Sequence, residues 1–324
     1  MGGGSWDDDD YLKQRKQRKQ SGQDDFSYDA DLKSRSTDEW KANPDLDPRN
    51  IKDVRESRDS DEHPLSRAVA VFFDVTGSMG GIPRVFQTKL GKLIDLLKKS
   101  GIKDPHVMLA AVGDTKCDRV PLQIGQFESD NRIDEQLRLF FLEGGGGGQV
   151  YESYGLAHYV AGWKTAIDCW EKRQEKGYLF TIGDEMPWSP LTKKEIQSVF
   201  GDNLEKSITM EEAIAKASEK YHVFHLNVTD GSHGRDPEVV KKWRSLLGER
   251  VLMLDDPSAV CELIVSTIAL IEGTANPDDL ATSLGLDKKT AKTVSDALSD
   301  YVDSAKTDGD TDTKDTKKKT GRIF

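Results

Sequence analysis

Cysteine is almost absent from this chain. Cys117, Cys169 and Cys261 are odd in number, widely spaced and form no CxxC pair. That excludes a disulfide framework and fits a reducing compartment. Long apolar runs are missing too: no stretch is long and apolar enough to span a bilayer, and the first residues contain no apolar leader segment. Met1-Gly2 hints at acylation, but that motif wants Ser or Thr where Trp6 stands. These absences predict a cytoplasmic protein with no membrane partner. Positive charge is also in deficit, 46 Lys and Arg against 57 Asp and Glu, for a net charge of −11. A field of that sign argues against nucleic acid as the main partner.

Apolar residues are sparse as well, at 36% against 32% charged. The shortage is concentrated in residues 1–64 and 303–324. Neither end carries enough apolar surface to offset the entropy of ordering it, so both are expected to be disordered. Residues 65–275 remain as one domain-sized unit, with 276–302 as a short helical appendage. One local exception breaks the acidic trend: LKQRKQRKQ at 12–20, directly after Asp7 to Asp10. It reads either as a basic arm for nucleic acid or an acidic surface, or as a solvated tail whose neighbouring charges partly cancel.

The middle of the chain alternates strand and helix signals, which predicts an α/β fold with a mostly parallel sheet covered on both faces. RAVAVFFDV (67–75), HVMLAAVGD (106–114), GYLFTIGDE (177–185), HVFHLNV (222–228) and RVLML (250–254) are apolar runs suited to buried strands. VPLQIGQFE (120–128) follows its predecessor too closely for a parallel crossover, so it is expected to be antiparallel and at the edge, as Pro121 also suggests. Helical spacing is present at 82–99, 131–142, 153–174, 192–200, 209–220, 237–247 and 257–272. Within 153–174 the pattern places Tyr159, Trp163 and Trp170 in the core. His222 and His225, three apart in a strand, point to opposite faces and cannot chelate together.

VFFDVTGSMG (71–80) ends its strand in Asp74, Thr76 and Ser78. In an open α/β sheet ligands bind beyond the carboxyl ends of the strands. Asp114 to Asp118, the loop 144–155 and Gly183-Asp184-Glu185 should gather there as well. No Lys follows the glycines at P-loop spacing, and TGSMG is out of register for a nucleophile elbow. Capping of the next helix by Thr76 and Ser78 is the plain alternative. The return of an acidic loop at Gly183-Asp184 favours a divalent cation, since oxygen donors suit Mg²⁺, Mn²⁺ or Ca²⁺.

FFDVTGSMG, together with FTIGDE at 180–185, resembles the metal-ion-dependent adhesion motif (MIDAS), Asp-x-Ser/Thr-x-Ser, of the von Willebrand factor A (vWA) family. The resemblance covers about 65–275. It implies a doubly wound, Rossmann-like sheet with one antiparallel edge strand, and a cation, Mg²⁺ first, with Mn²⁺ or Ca²⁺ as alternatives. Asp74, Thr76 and Ser78 match the first ligand loop and Asp184 the third. GGGGGQVYESYGLAHYVAGWKTAIDCW is similar to intracellular bacterial and phage members rather than secreted adhesion domains. One departure stands out. Where the family supplies a Thr from the second loop, this chain has Glu152, with Gln149 and Ser153 nearby. Glu152 then either adds a third negative charge to the cation site or points to solvent. Gly144 to Gly148 are expected to form a close-approach loop or hinge beside the metal.

The family implies a protein–protein interaction role without catalysis, with a MoxR-type AAA+ ATPase as a candidate partner. Two alternatives come from other classes. One is a metal-dependent phosphohydrolase with Asp114, Asp118 or Glu185 as base, and the other is a scaffold acting through disordered arms.

Overall fold

A computed structural model describes residues 4–51, 54–145, 148 and 150–318, without the side chains of residue 78 and of 305–318. Among these residues ten strands follow in chain order: β1 (Arg55–Ser57), β2 (Ser66–Asp74), β3 (Asp104–Val112), β4 (Leu122–Ile124), β5 (Tyr151–Glu152), β6 (Thr165–Ile167), β7 (Gly177–Gly183), β8 (Met186–Pro187), β9 (Tyr221–Val228) and β10 (Val251–Leu254). Six of them form the central sheet in the order β10-β9-β7-β2-β3-β4. Every neighbouring pair is parallel except β3–β4, so β4 is the antiparallel edge strand. All six sheet strands coincide with apolar runs read from the sequence.

β2 is buried along almost its whole length because both of its faces are covered. Val69, Val71 and Phe73 point to one core, shared with helices Gly81–Lys99 and Val260–Ile271. Ala68, Ala70 and Phe72 point to the other, shared with helices Gly155–Trp163 and Met210–Lys220 and with Trp243. The period of two along one strand thus builds both layers at once. Helices Lys193–Phe200 and Met210–Lys220 start at Thr192 and Thr209, each in a reciprocal cap with Glu195 or Glu212. The chain leaves β2 for β3 on one side and later places β7 on the other. The strand order therefore reverses between β2 and β7, where such sheets bind ligands.

Three expectations are corrected. First, residues 8–51 and 54–57 form an ordered arm on the domain. Helix Asp8–Ser21, helix Ser27–Lys33 and β1 are anchored by buried Tyr11, Phe26, Leu32 and Leu46. Arg18 pairs with Asp134 at 2.9 and 3.2 Å, and Leu46 accepts from the Ile124 N–H at 2.8 Å. The arm covers the open edge of β4, satisfying backbone groups that a bare edge strand would expose. Four apolar anchors suffice because each meets a prepared surface of the domain.

Second, 153–174 is not one helix. Helix Gly155–Trp163 stops, β6 pairs with β1 through Arg55↔Thr165, and helix Asp168–Arg173 follows. The β-branched Thr165 and Ile167 find a strand partner that no local pattern announces. Tyr159 is buried and Trp170 partly so, whereas Trp163 is 38% exposed and stacks on Tyr159.

At the far end, helices Leu280–Leu284 and Lys288–Lys318 pack Leu280, Leu284, Val294 and Leu298 onto the first core. The backbone is helical through Lys318, where a disordered tail from 303 was expected; residues 319–324 of that tail lie outside the described residues.

Candidate functional site

Asp74 ends β2 and Asp184 follows directly on β7, so the strand reversal sets the two carboxylates side by side, both fully buried. Asp74 Oδ1 accepts from the Thr76 N–H at 2.7 Å and from Thr76 Oγ1 at 2.6 Å. Its Oδ2 accepts from the Tyr154 hydroxyl at 2.8 Å. Asp184 Oδ2 accepts from the His233 N–H at 3.1 Å, so the loop after β9 contributes its backbone rather than an imidazole. Ser78 lies in the single 3₁₀ turn Gly77–Met79, and its side chain is outside the described residues.

Gly144 and Gly145 approach this strand end. Gly77 N–H donates to the Gly145 carbonyl at 2.9 Å, and Gly144 N–H to Val75 at 3.3 Å. A Cβ at Gly77 would stand 2.7 Å from that carbonyl, so the close approach needs glycine there. Gly146, Gly147 and Gln149 are outside the described residues.

Glu152 is buried, which removes its solvent-facing alternative, and its Oε1 accepts from the Ser153 N–H at 2.8 Å. Ser153 turns away to a second network, where its hydroxyl meets the Thr115 N–H at 3.0 Å and Asp114 at 3.3 Å. Asp114 also accepts from Lys116 N–H and Trp188 Nε1, both at 3.0 Å. Asp118 accepts from the Asp114 N–H at 2.6 Å. Both aspartates thus work as turn-formers on the rim.

Burial chiefly, and the neighbouring Asp184 charge in addition, push Asp74 up to about 7 although Thr76 and Tyr154 pull it down. Burial followed by the Asp74 charge drives Glu152 well above the usual carboxylate range. Half-buried Glu185 is pushed up to about 8 by burial and then by Asp74 and Asp184. The charges that weigh most on these three acids are all other carboxylates.

Tyr154 was not legible as a site residue. It precedes helix Gly155–Trp163, packs edge-on against the stacked pair His225 and Trp243, and fits only because Gly183 has no side chain where its hydroxyl passes. Gly231 similarly leaves room for the Asp184 carboxylate. Both glycines are visible in the sequence, but their reason is a contact between distant segments.

Two buried carboxylates, the Thr76 hydroxyl and the acidic surroundings form an oxygen-only donor set that fits a hard divalent cation. Burying Asp74 beside another carboxylate is costly, which adds to that fit. Among the described residues no three His, Cys, Asp or Glu side chains group as a chelate. Asp74, Glu152 and Asp184 are accordingly not grouped as a three-carboxylate chelate among the described residues.

No family model matches this chain, and no curated protein matches it. Among solved structures it is similar to the pilus adhesin SpaC of Lactobacillus rhamnosus GG in its open conformation, with 11% identity and a TM-score of 0.41 over 63% of this chain and 30% of that one. It is also similar to proximal thread matrix protein 1 of the mussel byssus, with 11% identity and a TM-score of 0.38 over 63% of this chain and 47% of that one. The matched region spans less than half the length of either structure, and neither likeness assigns a family.

Proposed function

We propose that this chain is a vWA-type protein. In this reading a divalent cation, Mg²⁺ first, is held by Asp74, Thr76, Ser78 and Asp184 and organises a protein-binding surface in the cytoplasm. Glu152 stands behind the site as a buried acid. The observation that carries the reading is the pair Asp74 and Asp184, buried side by side at the strand reversal, with a carboxylate as the charged neighbour of Asp74. Asp74 and Asp184 already match the charge of a divalent ion, so a partner's carboxylate would make the site anionic and the partner group is a neutral oxygen. A MoxR-type AAA+ ATPase is the partner class that the motif resemblance suggests. A phosphohydrolase would need a free base beside the ion, and the hydrogen bonds that occupy Asp114 and Asp118 weigh against it.

The test is thermal unfolding in EDTA and in Mg²⁺, Mn²⁺ or Ca²⁺, for the wild type and Asp74→Ala. A ligand bound only by the folded state adds about 2.7 kcal/mol at a hundred times its Kd. A metal-dependent rise of several degrees in the wild type and none in the variant is expected. No shift at millimolar metal sinks the proposal and leaves Thr76 and Asp74 as a turn and helix cap.

A further inference from the structure

Helix Asp8–Ser21 turns the basic stretch into a fixed surface. Its inner side is anchored by buried Tyr11, whose hydroxyl donates to the Gln87 carbonyl, and by Arg18 against Asp134. Asp7 caps the helix start by accepting from the Asp10 N–H at 2.9 Å, and Gly22 closes the end in the left-handed conformation at φ 70. Beyond the acidic first turn, where Asp8 and Asp9 are exposed, the outer side is cationic: Lys13, Lys16 and Lys19 are exposed and Arg15 is half-buried. Among the described residues the ion pairs of this helix are confined to Arg18. Beside these cations Leu12 is 56% exposed, more than Leu65, Trp163 or Tyr151. Leu12, Arg15, Lys16 and Lys19 are spaced to share one helical face, and with Gln20 they line a shallow groove of about 340 Å³.

We propose that this face docks an acidic protein segment that also presents an apolar side chain, with the apolar group on Leu12 and the carboxylates on Arg15, Lys16 and Lys19. Charge complementarity argues for an acidic occupant, because these cations are left without acidic partners on a chain of net charge −11. Leu12 argues for protein over nucleic acid: an apolar centre ringed by polar groups is how protein interfaces are built, and a phosphate backbone offers it nothing. Length matters too. A short segment senses the local patch, since charges are screened over roughly 8 Å at physiological salt, whereas a long polyanion also meets the acidic remainder. The helix is already ordered, so its side of the contact pays little entropy on binding.

Fluorescence anisotropy on the full chain tests this. The probes are a labelled helical peptide of Glu with Leu at helical spacing, the same peptide with Ser for Leu, and a labelled single-stranded oligonucleotide. The Glu/Leu peptide is expected to bind, more weakly as salt rises. Lys16→Glu with Lys19→Glu should weaken it about tenfold and Leu12→Gln about threefold, all at exposed positions that keep the fold. The Ser peptide should bind the wild type no better than the Glu/Leu peptide binds Leu12→Gln, and EDTA should change nothing, which separates this site from the cation site. Absent peptide binding, binding indifferent to the charge reversals, or tighter oligonucleotide binding overturns the proposal. Sedimentation as a dimer that Lys16→Glu with Lys19→Glu dissolves overturns it too, with a second copy as the occupant.

Discussion

Glu262 and Asp74 are both carboxylates with no exposure to solvent, on opposite solutions to the same problem. Glu262, in helix Val260–Ile271, is met by Lys89 Nζ at 2.7 and 2.9 Å and by Lys92 Nζ at 2.7 Å. Burial alone would raise its pKa, but hydrogen bonds from the two lysines outweigh that and hold it below the usual value. Asp74 has hydroxyls and an amide instead, with Asp184 as a like-charged neighbour, and it is pushed up. A protein that knows how to neutralise a buried acid between two helices leaves one without a cation at the sheet's reversal. Glu262 carries its counter-charge in the chain, and under the proposed function the place beside Asp74 would be taken by the cation.

The largest effect expected from this contrast is at Glu262. Lys89→Met with Lys92→Met strands a buried charge and should cost about 3–5 kcal/mol in urea unfolding. Adding Glu262→Met should restore most of it; if it does not, the pair acts through packing rather than charge. Gly183→Ala comes next, because its methyl group would occupy the place of the Tyr154 hydroxyl. A loss of about 3 kcal/mol, together with loss of the Mg²⁺ shift, is expected from overpacking of this kind. An unchanged melting temperature would show that Tyr154 moves freely.

The third prediction concerns pH. Asp74 has a folded pKa of about 7, against about 3.9 unfolded. The stability tied to its proton is fully present below about pH 4 and lost as pH rises through about 7. In EDTA the protein should therefore melt lower at pH 8 than at pH 5, and Glu185, pushed up to about 8, adds the same sign. Asp74→Asn should flatten this fall and recover about 2 kcal/mol at pH 8. The Mg²⁺ shift should grow with pH, since the ion competes with the proton. A flat EDTA profile would remove the claim that these acids lack a counter-charge.

The smallest effect is that of Tyr154→Phe, which deletes one hydrogen bond to Asp74 and should cost about 1 kcal/mol in circular-dichroism melts. A larger loss would mean that the hydroxyl also holds the neighbouring loops.

Much of the sheet was legible. β2, β3, β7, β9 and β10 are near-continuous apolar runs, as strands covered on both faces must be, and the short turn before β4 left antiparallel pairing as its sterically open course. Asp74, Thr76 and Asp184 were legible because a strand that ends in oxygens leaves a local mark. Tyr154 and the β1–β6 pair were not, since each depends on a partner about 80 or 110 residues away that no local period encodes. The arm failed for a different reason. Its average polarity predicts disorder, yet order there rests on a few anchors such as Tyr11, Phe26 and Leu46 meeting a surface already made.

Periodicity and strand-end chemistry, which are properties of neighbouring residues, settled the α/β layering and the acids at the rim. Tertiary structure alone decided which acids acquire lysines, which glycine admits Tyr154, and that the basic stretch becomes a helical face. Those outcomes depend on side chains brought together from distant parts of the chain, and their energies of burial and charge arise only once water has been excluded between them.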